Sequence, residues 1–493
     1  MGLIKIISGA EFTAAPNRFI GGEPGQASVN AVAKKAVTAT VNEIIASVRA
    51  GGDQALRRYS ERLEKSVPKK FEVPIEAAKL AWENLKTAEP ALAASLCIAS
   101  DHIRRFGEIQ KKQFKDFEVE MAPGLFTGQR VIPIERAAVY VPGGRFPLIS
   151  SALMGLIPAA VAGVDEKILV SPPRENGLPD SRILAAAALA GADRIFALGG
   201  AQAIAALAIG TETVPKVDFI AGPGNKYVTA AKQLLFGEVG IDFVAGPTDV
   251  LIISDATCGE MGAESSGDTA VAEAASIIAA DMLAQAEHDP DARARVLVAD
   301  RKVAARIEVA LEKRLAALPP SAASAIAAKA SLEAGGLIIV YECRDEALSI
   351  ANRIAPEHLE LFTSSPGEWL PGLKNYGSLF IGAAAAEVLG DYSAGINHTL
   401  PTSGGSRFTG GLSVRNFLKT VTTLRCIPGR AYTEALVAAE TIALAEGLSG
   451  HAESAACRLK AVPAAKTAHP ARKPVAPDGK PAVPDGKPAV SGE

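Results

Sequence analysis

The chain has 493 residues, which at about 100 to 200 residues per domain predicts two or three domains. Its 48% hydrophobic content suffices for several cores, and its formal net charge of -3 argues against a nucleic-acid or membrane-surface ligand. Five scattered cysteines without C-x-x-C spacing argue against a disulfide framework and a thiolate zinc site. No secretion signal or membrane span is recognisable, so we expect a soluble cytoplasmic protein whose ligand is a small molecule.

The N-terminal region, residues 1–135, is predicted to be helical. Apolar residues recur at helical spacing from about residue 37 to residue 112, without the alternation typical of strands. We expect this region to pack against the second of the two α/β layers that follow.

From residue 136 onwards, short apolar runs that end in glycine or proline alternate with helical segments. This alternation predicts parallel βαβ units, because strands buried on both faces read as continuous apolar runs. We expect an α/β protein with two tandem open-sheet, Rossmann-like domains at 136–248 and 249–400, and a long helix at about 269–288. The predicted strands are Ala137–Val141, Lys167–Val170, Arg194–Leu198, Asp218–Ala221, Val250–Ile253, Arg295–Val298 and Leu337–Tyr341.

The C-terminal segment, residues 401–460, is predicted to be helical again, with one helix from Ala435 to Leu448 that ends at Gly450. Residues 461–493 are rich in Pro, Ala and Lys and contain the unit Pro-Asp-Gly-Lys-Pro-Ala-Val twice. Such a composition cannot form a core, so it predicts a disordered tail.

Four of the six histidines lie between residues 285 and 451, together with candidate oxygen ligands. Gln285 and His288 are three residues apart at a helix end, a spacing that can chelate one ion, although such a pair alone more often forms a solvated face or a cap. Glu357 and His358 follow Pro356, where an irregular turn would let both serve one substrate. For that dipeptide alone, a capping Glu and a surface His is the more common arrangement.

Two loop features complete the inventory. The segment from Gly390 to Thr402 is a long polar loop that carries Asp391 and His398, and long loops between packed layers are often functional. The glycine-rich turns of the first layer could bind a phosphate at helix N-termini. A G-x-G-x-x-G fingerprint is absent, because Tyr227 occupies its third glycine position.

Seven motifs, in the same order along residues 37–458, resemble those of the histidinol dehydrogenase family. They are Val139–Gly144, Gly199–Ala206, Gly222–Val228, Ala245–Thr248, Gln285–His288, Ala355–Leu359 and Asn397–Thr402. The resemblance implies an enzyme with one Zn²⁺ per subunit that oxidises L-histidinol through L-histidinal to L-histidine with two NAD. It also implies a homodimer in which the C-terminal segment of each subunit completes the site of the other.

The resemblance also assigns roles to individual positions. The zinc ligands fall on Gln285, His288, Asp391 and His451, and the acid–base pair falls on Glu357 and His358. The four ligands and His358 also contact the substrate, as do Thr248, Tyr392, His398 and Glu446. The nucleotide contacts fall on Tyr140, Gln202 and Asn225.

Three alternatives remain open from the sequence. Relatives on the same scaffold oxidise other small alcohols, such as a sulfonated diol, with similar zinc and base positions. A zinc hydrolase would use the same ligands without a nucleotide, and a metal-binding protein without catalysis would need neither Glu357 nor His358.

The chain also departs from the family pattern at Thr248-Asp249, where many members have Ser-Glu, although the hydroxyl at position 248 is kept. Zinc could either anchor the substrate or polarise its alcohol.

Overall fold

The computed structural model describes residues 3–20, 24–64, 66–143, 147–255 and 268–461. The chain divides into two compact units, Met1–Phe114 with Ile132–Lys419 and Lys115–Val131 with Thr420–Glu493. None of the described helices has the length and apolar character of a membrane span. The predicted tail lies outside the described residues beyond residue 461.

The fold is α/β, as predicted. Its strands are β1 (Lys5–Ser8), β2 (Glu72–Val73), β3 (Phe117–Ala122), β4 (Leu125–Pro133), β5 (Arg136–Tyr140), β6 (Glu166–Ser171), β7 (Arg194–Ala197), β8 (Phe219–Ala221), β9 (Gly240–Ile241), β10 (Asp249–Ser254), β11 (Arg293–Val298), β12 (Leu337–Val340), β13 (His358–Phe362), β14 (Ser378–Ile381) and β15 (Leu418–Cys426). Its helices are α1 (Gly9–Ala14), α2 (Pro16–Ile20), α3 (Pro24–Leu63), α4 (Ile75–Ala88), α5 (Pro90–Lys111), α6 (Ile149–Ala162), α7 (Ser181–Ala190), α8 (Gly200–Ile209), α9 (Lys226–Leu235), α10 (Asp268–Ala286), α11 (Arg301–Ala317), α12 (Ala323–Gly335), α13 (Arg344–Ile354), α14 (Glu387–Tyr392), α15 (Arg430–Ala445) and α16 (Ser449–Ala461).

The first large sheet has the strand order β2-β7-β6-β5-β8-β9, and its strands are parallel except for β2. Successive residues of β5 enter different cores. Ala138 and Tyr140 pack with α3, α8 and α9, whereas Val139 packs with α4 to α7. Because both faces are covered from Ala137 to Tyr140, these positions are apolar, which is why the sequence reads as a continuous apolar run there.

The N-terminal region differs from the prediction. Helix α3 packs against α8 and α9, α4 against α7, and α5 against α6, so these helices cover the first sheet and not the second. The apolar stripe of α3, which includes Val41, Ile44 and Val48, meets the alanine-rich helix α8, whose small side chains permit close packing. At the start of this region β1, which was not predicted, joins the second sheet, where Lys5 pairs with Leu337, and α1 packs on that sheet.

The second large sheet has the order β1-β12-β11-β10-β13-β14, and all of its pairings are parallel. Helices α10 to α12 cover one face and α1 with α13 cover the other. The predicted strands at 250–253, 295–298 and 337–341 and the long helix at 269–288 are all present within about two residues. This sheet carries most of the predicted site residues.

The smaller unit contains an antiparallel sheet of order β15-β4-β3, whose β3–β4 hairpin turns at Gly124. The prediction of a purely helical C-terminal segment was therefore wrong, because it missed β15. The predicted helix at 435–448 is present as α15, but its end was misplaced. The chain turns at Gly447, which has a φ of 77°, and α16 then runs on through Gly450.

We expect Gly222→Ala to lower the free energy of unfolding by about 3 kcal/mol or more. Gly222 has a φ of 109°, and a Cβ there would collide with the Tyr140 carbonyl oxygen. Gly191→Ala is the matched control, because Gly191 has a φ of 81° but nothing within 4 Å of its Cβ position, so it should cost only about 1 to 2 kcal/mol. Urea unfolding measures both, and equal losses would contradict the steric explanation.

Candidate active site

The amino ends of two neighbouring strands hold the first group of predicted site residues. Strands β10 and β13 are adjacent and parallel and begin in register, which brings Thr248 and Asp249 beside Glu357 and His358. Ala355, at a φ of 51°, ends α13 and turns the chain into β13. The site therefore lies at the amino edge of the second sheet.

Glu357 is buried and held by several hydrogen bonds. Its Oε2 accepts from Thr248 Oγ1 at 2.5 Å and from the Asp249 backbone N–H at 3.2 Å. Its own backbone N–H donates to Asp249 Oδ1 at 3.1 Å, and Asp249 is in turn held by the fully buried Arg295 at 3.1 Å. Burial raises the pKa of Glu357 well above its usual value, while the hydrogen bond from Thr248 lowers it. The carboxylate is thus fixed in place but costly to ionise.

His358 is 3% exposed, and its ring nitrogens have no hydrogen-bond partner among the described residues. Its Nδ1 lies 3.4 Å from Glu387 Oε1 and 4.0 Å from Glu357 Oε2, and its Nε2 lies 3.8 Å from Asp391 Oδ1. Burial lowers the pKa of His358 to about 3. The imidazole is therefore neutral at physiological pH and able to accept a proton. The more common arrangement for such a dipeptide, a glutamate that caps a helix and a histidine exposed at the surface, is therefore not the one found here.

Three of the four predicted metal ligands come together beside His358. Gln285 and His288 lie at the carboxyl end of α10, which runs back along the sheet and delivers them to its amino edge. Asp391 lies in α14, and its Oδ2 is 3.9 Å from His288 Nε2. Gln285 is fully buried. Distant parts of the chain therefore converge here, as predicted.

Glu387 is a member of this cluster that sequence reasoning missed. Ligand atoms of His288, Glu387 and Asp391 all lie within 4.8 Å of one another. Glu387 and Asp391 are four residues apart on α14, so they share one helix face. That spacing was the signal available in the sequence, but the segment reads as a loop there.

The donor set fits a borderline divalent cation such as zinc, since it combines one imidazole with carboxylate and amide oxygens. The buried carboxylates also repel one another. Burial raises the pKa of Asp391 to about 7, and burial followed by the charge of Asp391 raises the pKa of Glu387 well above its usual value. A cation held between them would offset this repulsion.

The end of α14 and the loop that follows it carry the remaining predicted substrate contacts of the larger unit, Tyr392 and His398. Burial lowers the pKa of His398 to about 4, and its Nε2 has no partner in the described part of the chain. Tyr392 is exposed. The Asn397 side chain anchors the loop by donating to the Met154 carbonyl oxygen at 2.7 Å.

The predicted nucleotide contacts lie at the carboxyl edge of the first sheet. Tyr140 ends β5, and its hydroxyl accepts from the Gly200 N–H at 3.1 Å. Gln202 is buried in α8, and its Oε1 has no partner among the described residues. Asn225 caps α9 by accepting two backbone N–H groups. The carboxyl edge of an open parallel sheet is where such folds bind nucleotides.

The other two predicted residues belong to the smaller unit. Glu446 lies at the end of α15 and His451 in the first turn of α16, and both are exposed to solvent. Their participation in a site remains a prediction.

Comparison with known proteins agrees with this geometry. The family model described as histidinol dehydrogenase matches residues 28–459. The chain belongs to the histidinol dehydrogenase family. The chain is therefore an oxidoreductase of the dehydrogenase class.

Individual relatives cover most of the chain. The histidinol dehydrogenase of Thermus thermophilus is 44% identical over 414 residues, which are 84% of this chain and 92% of the relative. A Shouchella clausii protein named histidinol dehydrogenase homolog is 38% identical over 86% of this chain and 94% of its own length. The crystal structure of histidinol dehydrogenase from Elizabethkingia anophelis matches with a TM-score of 0.77 at 33% identity, covering 86% of this chain and 92% of that one.

The buried neutral imidazole predicts a specific pH dependence of stability for the metal-free protein. The pKa of His358 is about 3 in the folded state and 6.5 without burial, so between these values the unfolded state binds one more proton. Acid therefore favours unfolding by about 1.4 kcal/mol per pH unit through this residue. When the pH is lowered from 7.5 to 5, the free energy of unfolding of the unmodified chain should fall by about 2 kcal/mol more than that of the His358→Gln variant, as measured by urea unfolding. Equal losses would contradict a buried neutral ring.

Proposed function

We propose that this chain is a zinc-dependent histidinol dehydrogenase that oxidises L-histidinol through L-histidinal to L-histidine with two NAD, the last steps of histidine biosynthesis. The observation that carries the proposal is the neutral, unpartnered imidazole of His358 beside a cluster suited to a cation. Family membership supplies the reaction class.

In the first oxidation, His358 accepts the proton of the substrate hydroxyl while a hydride leaves the carbinol carbon. A general base must be unprotonated at the working pH and close to the proton that it removes. The low pKa of His358 meets the first condition. Its burial also excludes water, so the proton passes to the imidazole and not to solvent.

In the second oxidation, Glu357 takes a proton from the water that attacks the aldehyde carbon, and a second hydride then leaves the hydrate. This role requires the ionised carboxylate. The hydrogen bond from the Thr248 hydroxyl favours that form, and a neighbouring cation favours it further. Loss of two hydrides accounts for the consumption of two NAD.

Gln285, His288 and Asp391 would hold the zinc ion, with His451 as the fourth ligand, supplied across a homodimer. When bound, the cation would supply a positive anchor for the imidazole and amine of the substrate. Thr248, Tyr392, His398 and Glu446 would position the substrate further, and Tyr140, Gln202 and Asn225 would bind the nucleotide. The family resemblance implies a homodimer in which each C-terminal segment, with Glu446 and His451, contributes to the other subunit's site. We place the enzyme in the cytoplasm.

The stoichiometry tests the substrate assignment. Purified protein with zinc should form about two NADH per histidinol consumed, because the conversion of an alcohol to an acid removes four electrons. The control is a panel of small alcohols that includes a sulfonated diol. Each alcohol is assayed with NAD before and after the zinc is removed by a chelator. NADH formation from another alcohol alone would overturn the substrate assignment and leave the fold unaffected.

Two substitutions separate the predicted roles of the histidines. His358→Ala should lower kcat by about 10²-fold to 10⁴-fold, the usual contribution of a general base, and spare the bound zinc. His288→Ala should weaken zinc binding. Zinc content after dialysis and the rate with saturating zinc distinguish the two variants, and the opposite pattern would reverse the assignment.

A further inference from the structure

A short chain of buried side chains connects the proposed cation site with the catalytic carboxylate. One end of the Gln285 amide lies 2.6 Å and 3.2 Å from the two carboxylate oxygens of Glu387. The other end lies 2.8 Å from Thr248 Oγ1. Thr248 Oγ1 in turn lies 2.5 Å from Glu357 Oε2. Each contact is within hydrogen-bond distance, so the four groups form one continuous path.

The direction of the hydrogen bonds along this path depends on the orientation of the Gln285 amide. A hydroxyl has one hydrogen to donate, and an amide has a donor end and an acceptor end. If the amide nitrogen faces Glu387, the amide oxygen takes the hydrogen of Thr248 and leaves none for Glu357. If the amide oxygen faces Glu387, the nitrogen donates to Thr248, and the hydroxyl hydrogen is free to go to Glu357.

A cation selects between the two orientations. An amide oxygen 2.6 Å from a carboxylate oxygen places two acceptors against each other, which is unfavourable in a buried site unless a positive charge lies close by. A metal ion binds the oxygen of an amide and not its nitrogen. A cation beside His288, Glu387 and Asp391 therefore favours the orientation in which Gln285 donates to Thr248.

We propose that Thr248 is a positioning residue that couples the cation site to Glu357. A bound cation turns the Gln285 oxygen towards the carboxylate cluster, and the resulting hydrogen bonds through Thr248 point at Glu357. The same bonds hold Gln285 in the orientation that binds the cation. The inference rests on the proposed zinc-dependent function and adds a role to the substrate contact that the family resemblance implies for Thr248.

The test is zinc affinity in the absence of substrate, measured by competition with chromophoric chelators that span nanomolar to millimolar affinities. Thr248→Val keeps the shape of the side chain but removes the hydroxyl, so we expect zinc affinity to fall tenfold or more, the usual effect of losing a residue that orients a ligand. Thr248→Ser keeps the hydroxyl and should stay within threefold of the unmodified chain. Thermal unfolding of the metal-free variants checks that each is folded.

A double-mutant cycle decides whether Thr248 acts through Gln285. In a Gln285→Ala background, Thr248→Val should change zinc affinity by less than threefold, because the amide that it orients is gone. The same loss in both backgrounds would overturn the inference. Unchanged zinc affinity with a raised KM for histidinol would also overturn it and leave Thr248 as a substrate contact alone. If the unmodified chain does not bind zinc, the proposed metal dependence itself is refuted. The zinc titration of the unmodified chain shows this before any variant is measured.

Discussion

The site depends on the removal of ionisable groups from water at one edge of a sheet. Glu357, His358 and Glu387 are each less than 10% exposed, and burial is the largest influence on the pKa of each. Burial of the imidazole produces a neutral base, and burial of the carboxylates produces a strong attraction for a cation. The same physical effect would therefore supply both the proposed acid–base group and the proposed cation affinity. In the metal-free chain these groups oppose folding, so we expect the cation to stabilise the folded state as well.

Such a cluster needs a rigid support, and the second sheet provides it. Asp249 accepts the backbone N–H of Glu357 and is itself held by Arg295, whose charge is fully buried. A buried pair of opposite charges is costly to break, because the remaining partner would be left without compensation. Glu357 is thus positioned by its backbone as well as by its side chain.

The sequence predicted the central strands well because their physical signal is local. Residues in β5 and β10 are buried on both faces, so their apolar runs are continuous. The described strands that were missed are short or contain polar or charged positions; they are β1, β2, β3, β4, β9, β13, β14 and β15. In β13 the polar residues His358 and Glu360 are buried at the site, so function overrides the apolar pattern that marks a core strand. The apolar pattern of the sequence therefore does not predict β13, because the site requires polar residues in a buried strand.

The ligand set illustrates the same limit at the level of single residues. Gln285 lies in a motif that resembles the family, and the role of Asp391 was implied by the same resemblance, but their convergence depends on the return of α10 along the sheet and on the position of α14. Glu387 has no motif of its own. Its four-residue spacing from Asp391 indicates a shared face only once the segment is known to be helical, so its role follows from the distances to Gln285, His288 and Asp391.

The predicted site residues lie at opposite edges of the two large sheets. The first sheet places Tyr140 and Asn225 at its carboxyl edge, the usual binding edge of such folds, whereas the second sheet places Glu357 at its amino edge. Two connections secure the loop after α14 to this arrangement, Asn397 to the backbone of α6 at 2.7 Å and Thr402 to the Gly246 N–H at 2.5 Å. The loop is therefore tied both to the first layer and to the segment that leads into β10. In the proposed reaction this tie would help, because hydride transfer needs the nucleotide and the carbinol carbon at a close and constant distance.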